Sequence, residues 1–336
     1  MSYVIDQKNI PVRTLSTGEK IPCVGMGTFG SDRFTAEQVS DAVYGAIKCG
    51  YRMFDGASVY GNEKQIGAVY KKAFDEGLVK REELFIISKV WNDMHDKVVE
   101  SCKQTLEDLQ LQSLDLFFVH WPFPNYHPPH CTIDSRSPDA VPFTADRFMD
   151  TWKQMESLVD MGLVRNIGMS NMTVPKLEAV LPLCRIKPVA VEMELHPSFQ
   201  QPELFNYCAE RQIQPIGFCP IGSPTRPDRD IDPNDVIDIE MPELVEIAKA
   251  HNVHPAIVCL KWAAQRGQIP IPFSIYEDQY IGNLRCVAED PLTDEEMAVM
   301  QSLDRNCRFI KGHVFLWETA DDWYDLWDLD GVIVNK

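Results

Sequence analysis

Apolar residues recur along the chain in eight short, nearly continuous runs, separated by segments with helical spacing. Such a run, bounded by turn signals, is typical of a strand buried on both faces, as in a parallel sheet. The pattern therefore predicts eight strands, in the order "VGMGTF", "YRMFDG", "LFIISKV", "LDLFFVHW", "RNIGMSN", "VAVEMEL", "QPIGFCPI" and "IPIPFS".

Turn and capping residues organise the start of the chain. "VRTL" and "KIPC" flank the turn "STGE", which predicts an N-terminal β-hairpin over residues 10–22. Thr35 and Gln38 have the spacing of a capping box, so a helix is expected to begin after Thr35. Asn62 and Gln65 have the same spacing, and we expect them to cap the next helix in the same way.

Eight β–α units without a composition break predict an α/β fold, a single (β/α)8 TIM barrel over residues 1–336. A doubly wound sheet would more naturally end near about six strands. Two long segments interrupt the units, residues 122–145 and residues 305–336. Long loops of this kind are often functional, and we expect both at the C-terminal face, with the tail lying over the barrel mouth.

The charge balance narrows the class of partner. The 336 residues carry a formal net charge of −18, and such a surface repels nucleic acid and anionic membranes. No apolar run approaches the roughly 20 residues of a membrane span. A small-molecule substrate fits this charge better, and a homo-oligomer is also compatible with it. The same charge serves solubility, which is the simpler explanation.

The cysteines and the N-terminus bear on the compartment. The ten cysteines form no C-x-x-C pair, and several lie in apolar surroundings, such as Cys219 and Cys259. The opening "MSYVIDQKNI" lacks the basic-then-apolar pattern of a secretory signal. Both features predict reduced thiols in a cytoplasmic protein.

Polar residues follow the apolar runs, where a barrel places its chemistry. Asp55 and Tyr60 follow the second predicted strand, Lys89 ends the third and His120 ends the fourth. A lysine ammonium favours tyrosinate and lowers the tyrosine pKa, a carboxylate holds the ammonium, and a histidine can orient a carbonyl oxygen. Together these four predict a proton-transfer site with Tyr60 as general acid or base. Other polar or aromatic residues at strand ends are Ser170, Asn171, Glu194, His196 and Phe218.

Simpler explanations exist for each of these residues alone. An Asp–Lys pair is often only an ion pair, a tyrosine in a loop often only packs, and a histidine before "WP" can belong to the core. His127 and His130 in "HPPH" could ligate zinc, but they lack supporting carboxylates, and no metal site is predicted.

The stretches "GYRMFDGASVYGNEKQIG", "ISKVW", "LFFVHWP", "RNIGMSN", "VEMELHP" and "IPIPFS" resemble, in order, successive signatures of the aldo-keto reductases. The resemblance runs from about Val12 to Asn283 and is closest to the xylose-reductase-like branch. It implies a catalytic tetrad of Asp55, Tyr60, Lys89 and His120. It also implies a nicotinamide dinucleotide that lies extended across the barrel mouth without a Rossmann fold.

This resemblance changes the meaning of "GMGTFG", residues 25–30, which matches the dinucleotide fingerprint G-x-G-x-x-G. It is similar to the first barrel strand and its short loop, whose glycines would let the backbone approach the nicotinamide or the substrate. By the same resemblance, Ser170 and Asn171 would hold the carboxamide, Phe218 would stack on the ring, and Glu192 stands where glutamine is usual. The implied cofactor-binding residues are Gly27, Thr28, Ser170, Asn171, Glu192, Phe218, Cys219, Ile221, Ser223, Phe273, Ser274, Ile275, Glu277, Gln279 and Asn283.

Departures from the family pattern after the eighth strand bear on cofactor choice. Phe273 stands where NADP-binding members carry lysine, and Gln279 where they carry arginine, with Glu277 and Asp278 beside them. A 2′-phosphate needs cationic donors, so NAD(H) is favoured over NADP(H). The alternative is that the two acids only begin a helix, where they suit its dipole.

Aromatic residues suggest the substrate pocket. Phe29, Trp91, Trp121 and Trp317 could line it, and aromatic faces suit both sugar CH groups and plain apolar carbonyls. We expect an oxidoreductase that interconverts an aldehyde or ketone, of sugar or polyol type, and its alcohol. The acidic tail argues against an anionic substrate, unless it only packs or is solvated. Alternatives are a non-catalytic family relative that serves as a binding or structural subunit, and a metal-dependent barrel hydrolase, which lacks a convincing ligand set.

Overall fold

The computed structural model describes residues 4–127, 131–132, 134–224 and 226–335. Eight parallel strands, each hydrogen-bonded to the next along the chain, form one sheet. They are β3 (Met26–Gly27), β4 (Met53–Asp55), β5 (Phe85–Val90), β6 (Leu114–Val119), β7 (Val164–Ser170), β8 (Ala190–Glu194), β9 (Gln214–Phe218) and β10 (Ile269–Pro270). All eight predicted strands are confirmed.

Backbone hydrogen bonds close the sheet into a barrel. The Gly25 N–H donates to Pro270 O at 3.1 Å, and the Gly27 N–H donates to Pro272 O at 3.0 Å. A Cβ at Gly27 would lie 3.1 Å from Ile271 O, so this glycine is needed where β3 meets the β10 segment. Gly27 therefore allows the barrel to close, and it also lies at the barrel mouth.

The hairpin closes the opposite end of the barrel. β1 (Val12–Thr14) and β2 (Lys20–Pro22) pair antiparallel, with Arg13 opposite Ile21, as predicted. Ile21 and Leu15 are buried and pack with Met53 and Phe85 in the cluster that fills the barrel interior. Since the hairpin seals this end, the mouth at the carboxyl ends of the strands is the open one.

Ten helices surround the sheet in the described part of the chain. They are α1 (Ala36–Cys49), α2 (Glu63–Asp75), α3 (Val98–Asp108), α4 (Ala145–Asp160), α5 (Val174–Val180), α6 (Pro202–Glu210), α7 (Pro242–Ala250), α8 (Pro255–Arg266), α9 (Glu277–Arg285) and α10 (Asp294–Gln301). Helices of this length are too short and polar to cross a membrane, and none in the described residues meets the requirements of a span.

Capping was predicted correctly for one helix and wrongly for the next. Thr35 and Gln38 form both bonds of a capping box at α1. Asn62 is the residue before α2, but its Nδ2 donates to Thr28 O at 2.8 Å. The nearby carbonyl of the β3 loop turns this amide away from the helix end, so Asn62 ties α2 to the barrel mouth instead.

The two-residue alternation of the strands decides which side chains enter the barrel. Phe85 and Ile87 of β5 belong to the interior cluster, whereas Ile86 and Val90 pack outward toward the helices. Leu116 and Phe118 of β6 and Met53 of β4 also point inward. Continued by one more step toward the mouth, the inward positions are those of Asp55, Lys89 and His120.

The C-terminal tail is held against the barrel by specific contacts. Lys176 of α5 donates to Leu326 O at 2.8 Å and pairs with Asp328 at 2.5 Å. Glu194 at the end of β8 accepts the backbone N–H groups of Phe309 at 2.6 Å and Ile310 at 2.9 Å. The bonds of Glu194 bring the first part of the tail to the barrel mouth, and those of Lys176 hold its later part.

Candidate active site

A cavity of about 1080 Å³ opens at the carboxyl ends of the strands. Its wall is built from the loops that follow the strands, from the start of α9 and from the tail segment 310–315. Three of the four predicted catalytic residues, Asp55, Tyr60 and His120, line it. Lys89 lies behind them and is fully buried, with 0% of its surface exposed.

Lys89 is the centre of the charged groups. Its Nζ donates to both oxygens of Asp55 at 2.7 Å and to Gly56 O at 3.0 Å, and it lies 3.4 Å from Glu192 Oε1. Burial lowers the pKa of Lys89, but the charges of Asp55 and Glu192 raise it by more, so the ammonium is retained. A buried cation paired in this way is held rigidly in place.

Tyr60 lies above this ion pair and faces the cavity. The ammonium of Lys89 lies 5.4 Å from the centre of its ring. Lys89 lowers the pKa of Tyr60, as expected, but burial raises it by more, so the pKa is above its ordinary value. The expectation of a lowered pKa is therefore wrong, because desolvation outweighs the ammonium. Tyr60 consequently holds its proton at neutral pH.

His120 completes the group of four. Its ring lies edge-on to Tyr60, with 5.9 Å between ring centres, and 5.0 Å from Trp91. Burial and the charge of Lys89 both hold the pKa of His120 well below its usual range. The imidazole is therefore neutral, and one ring nitrogen can donate to an oxygen without carrying a charge.

The ends of β7 and β8 present unpaired acceptors. Asn171 donates from Nδ2 to His120 O at 2.9 Å, and its backbone N–H donates to Glu192 O at 3.0 Å. Among the described residues, Asn171 Oδ1 and Glu192 Oε2 have no hydrogen-bond partner. Phe218 lines the cavity beside them. A nicotinamide fits this arrangement, because its carboxamide NH2 group supplies two donors and Phe218 supplies a ring face.

Most of the implied cofactor residues line the cavity. Those that line the cavity are Gly27, Thr28, Asn171, Glu192, Phe218, Cys219, Ile221, Ser223, Phe273, Gln279 and Asn283. Within the described residues, four others do not line it: Ser170, Ser274, Ile275 and Glu277. Ser274 lies behind Gln279, since its Oγ donates to Gln279 Oε1 at 2.7 Å. The roles of all these residues stay predictions.

The far end of the cavity is aromatic and acidic. Phe273 packs against Phe34 at 5.9 Å between ring centres, and Asp278 lines the wall beside Gln279. Glu277 and Asp278 both lie in the first turn of α9, so stabilisation of the helix accounts for both acids, and Asp278 in addition lines the cavity. Arg285, at the other end of α9, pairs with Glu289 at 2.6 Å.

Two ion pairs connect the loop after β3 with the loop after β9. Arg33, in the loop after β3, pairs with Asp228 at 2.9 Å. Arg229, next along the chain from Asp228, pairs with Asp32 at 3.2 Å. Asp32 and Arg229 both line the cavity. Sequence reasoning missed these contacts because they join residues almost 200 positions apart.

The opposite end of the cavity is formed by aromatic side chains. Phe29, Trp91 and Trp121 line the cavity together with Phe315 from the tail, and their contact with a substrate stays a prediction. Trp317 differs: it is 3% exposed, packs in the aromatic cluster beneath and is outside the cavity wall of the described chain. Within the described residues, the aromatic side chain that the tail contributes to the cavity is Phe315, whose ring lies 4.3 Å from Trp121.

Glu194 and His196 follow β8 but serve a different purpose. His196 is fully buried between Glu194 at 3.0 Å and Asp238 at 2.8 Å, and its ring stacks on Phe309 at 4.3 Å. Burial lowers the pKa of His196, but Asp238 and Glu194 outweigh burial and raise the pKa to about 9. This charged network anchors the start of the tail.

Metal ligation receives no support within the described residues, which contain no group of three or more candidate ligands. His127 lines the cavity, and its Nδ1 lies 3.4 Å from Cys131 Sγ. His130, the second histidine of "HPPH", lies outside the described residues.

Comparisons with known proteins agree with this geometry. The model of the aldo/keto reductase family matches residues 23–305. The chain is 39% identical to the NADH-dependent D-xylose reductase of Candida parapsilosis, with 89% of this chain and 94% of that protein covered. It is 36% identical to the NADPH-dependent D-xylose reductase of Candida boidinii, with coverages of 89% and 95%.

A solved structure gives the same result. The crystal structure of a Bombyx mori aldo-keto reductase in complex with NADP superposes with a TM-score of 0.79 at 31% identity, covering 90% of this chain and 95% of that one. The chain belongs to the aldo/keto reductase family. It is accordingly an oxidoreductase that uses a nicotinamide cofactor.

Proposed function

We propose that the protein interconverts an aldehyde or ketone of sugar or polyol type and the corresponding alcohol, with NAD(H) as the favoured cofactor. The observation that carries this proposal is the convergence of Tyr60, His120 and the Lys89–Asp55 pair at the same point of the cavity wall. A proton donor, a neutral hydrogen-bond donor and a fixed cation around one point are suited to the reduction of a carbonyl group.

The bound nicotinamide would supply or accept the hydride at the carbonyl carbon. Tyr60 donates its proton to the carbonyl oxygen during reduction, and it takes the proton back from the alcohol in the reverse direction. Lys89 stabilises the tyrosinate that forms, and Asp55 holds Lys89 in position through two contacts of 2.7 Å. His120 orients the carbonyl oxygen, and because it is neutral it does not compete as a proton donor.

The cofactor would be held at two places on the cavity wall. Asn171 and Glu192 accept from the carboxamide, which satisfies two oxygens that lack partners within the described chain. At the far end, Phe273, Gln279 and Asp278 offer a 2′-phosphate no cation and one like charge. Arg229, on the wall of this end, is already paired with Asp32. These contacts support a preference for NAD(H).

The substrate would lie between Tyr60 and the aromatic wall. Trp91, Trp121 and Phe315 present apolar faces, which suit the CH groups of a sugar, while hydroxyl groups can reach the polar residues at the strand ends. The D-xylose reductases among the relatives support a substrate of this type.

The test is a panel of aldoses, simple aldehydes and polyols, each assayed with NAD(H) and with NADP(H). We expect turnover of hydroxylated carbonyl compounds or their alcohols, and its loss in Tyr60→Phe. Cofactor binding without turnover of any member of a broad panel would instead favour a binding or structural subunit.

A further inference from the structure

Glu192 is a buried carboxyl group on the cavity wall. It takes no part in the proposed proton transfer. It is 2% exposed, and its Oε1 lies 3.4 Å from Lys89 Nζ. Lys89 already makes two contacts of 2.7 Å with Asp55. One ammonium therefore faces two carboxyl groups, and its charge balances only one of them.

The ionisation of Glu192 consequently changes the net charge of the site. With Glu192 protonated, the Lys89–Asp55 pair is neutral; with Glu192 ionised, the three groups carry one net negative charge. Burial raises the pKa of Glu192, the charge of Asp55 raises it further, and Lys89 opposes both, which leaves the pKa at about 8. The change of charge therefore falls close to physiological pH.

Few other charges influence Glu192. Among the described residues, Asp55 and Lys89 act on it directly, and the other titratable groups on the neighbouring strands and loops are Tyr60, His120, Glu194 and His196. His120 is neutral, and Glu194 is paired with His196 at 3.0 Å. The adjoining strand ends of β7 and β9 present Asn171 and Phe218, which carry no charge.

We propose that Glu192 sets the relative affinity of the site for oxidised and reduced nicotinamide. This inference rests on the proposed function, in which the nicotinamide lies against Phe218 with its carboxamide at Asn171 and Glu192. The oxidised ring carries a positive charge and the reduced ring carries none. An ionised Glu192 attracts only the oxidised ring, whereas its hydrogen bond to the carboxamide is common to both forms and cancels in their ratio.

The experiment is calorimetric titration of NAD+ and NADH, with NADP+ and NADPH in parallel, from about pH 6 to about pH 9.5. In the unmodified chain, the affinity for the oxidised form relative to the reduced form should rise at least about threefold across this range. In Glu192→Gln, which keeps shape and removes the charge, the ratio should not change with pH. Asp278→Asn is the matched control, because it removes a carboxylate at the far end and should affect both forms equally.

The number of protons released on cofactor binding is a second measurement. It would not change in the variant if Glu192 had only a structural role. Near pH 8, binding of the oxidised form should release protons in the unmodified chain and release fewer in Glu192→Gln, as measured in buffers of different ionisation heat. The inference would be overturned if the ratio of affinities for the oxidised and reduced forms were independent of pH in the unmodified chain, or if its pH dependence persisted in Glu192→Gln. Either result would leave the proposed function intact. If neither redox form bound, the nicotinamide site itself would be wrong, and the proposed function with it.

Discussion

The double substitution Phe273→Lys and Gln279→Arg tests the proposed cofactor preference. Gln279 lines the far end of the cavity, and Phe273 packs there against Phe34 at 5.9 Å. Both positions follow β10 closely, so cationic side chains placed there can reach the same part of a bound dinucleotide. We expect the variant to bind NADP(H) more tightly and to narrow or invert the preference for NAD(H).

The magnitude follows from the contacts that the unmodified site lacks. A charge-assisted hydrogen bond contributes about 1.5–3 kcal/mol, and about 1.4 kcal/mol corresponds to a factor of ten in affinity. NADP(H) should therefore bind the unmodified chain at least about tenfold more weakly than NAD(H). Asp278 lines the same wall, and its substitution by asparagine alone should weaken the discrimination only about threefold, because it removes repulsion without adding a donor.

The assay is equilibrium titration of both cofactors by quenching of tryptophan fluorescence, at low and high salt. The gain for NADP(H) in the double variant should shrink at high salt, since Gln279 is exposed. Tighter binding of NADP(H) than of NAD(H) by the unmodified chain would refute the reasoning. It would mean that Arg229 or Arg285 leaves its partner, Asp32 or Glu289, to bind the phosphate.

Three further predictions follow from the same geometry. Tyr60→Phe should lower kcat at least about a hundredfold while dinucleotide affinity, measured by titration, stays within about threefold; near-normal turnover would remove Tyr60 from its role. Lys89→Met should move the ascending limb of the pH–rate profile for alcohol oxidation, where Tyr60 must be deprotonated to act as the base, to higher pH, because Tyr60 loses the charge that lowers its pKa; an unchanged profile would contradict this. His196 has a pKa of about 9 in the folded chain, above its unfolded value of about 6.5, so its contribution to stability is complete below about pH 6.5 and is lost as the pH rises through about 9. Urea denaturation should show this loss in the unmodified chain and a flatter dependence in His196→Asn; parallel curves would show that His196 is not the titrating group.

The prediction of the catalytic residues from sequence had a simple physical basis. Along β5, Phe85 and Ile87 point into the barrel, and the two-residue period carries this direction on to Lys89. The same step leads from Met53 to Asp55 on β4. Parallel neighbouring strands end at the same edge, so these side chains had to meet at the mouth. This argument covers Asp55, Lys89 and His120, whereas Tyr60 lies in the loop after β4, and the role of all four as a catalytic tetrad, which the family resemblance implies, stays a prediction.

Other features depended on contacts between distant parts of the chain. Asn62 has the residue type and spacing of a cap, yet Thr28 O takes its amide. The tail brings Phe315 to the cavity and buries Trp317 beneath it. No local pattern distinguishes these two aromatic residues, because the choice depends on where the tail is anchored.

The pKa values and charge pairs of the buried groups depend on the tertiary structure even more strongly. The types of Tyr60 and Lys89 predict a lowered tyrosine pKa, but burial reverses the net direction. Glu192 has local surroundings similar to those of any inward strand residue, and only the closed barrel brings it to 3.4 Å from Lys89. The sequence by itself determined the strands, their facing and the chemistry at their ends, since these follow from short-range periodicity. Desolvation and charge pairing depend on distances across the barrel, and these exist only after the chain has folded.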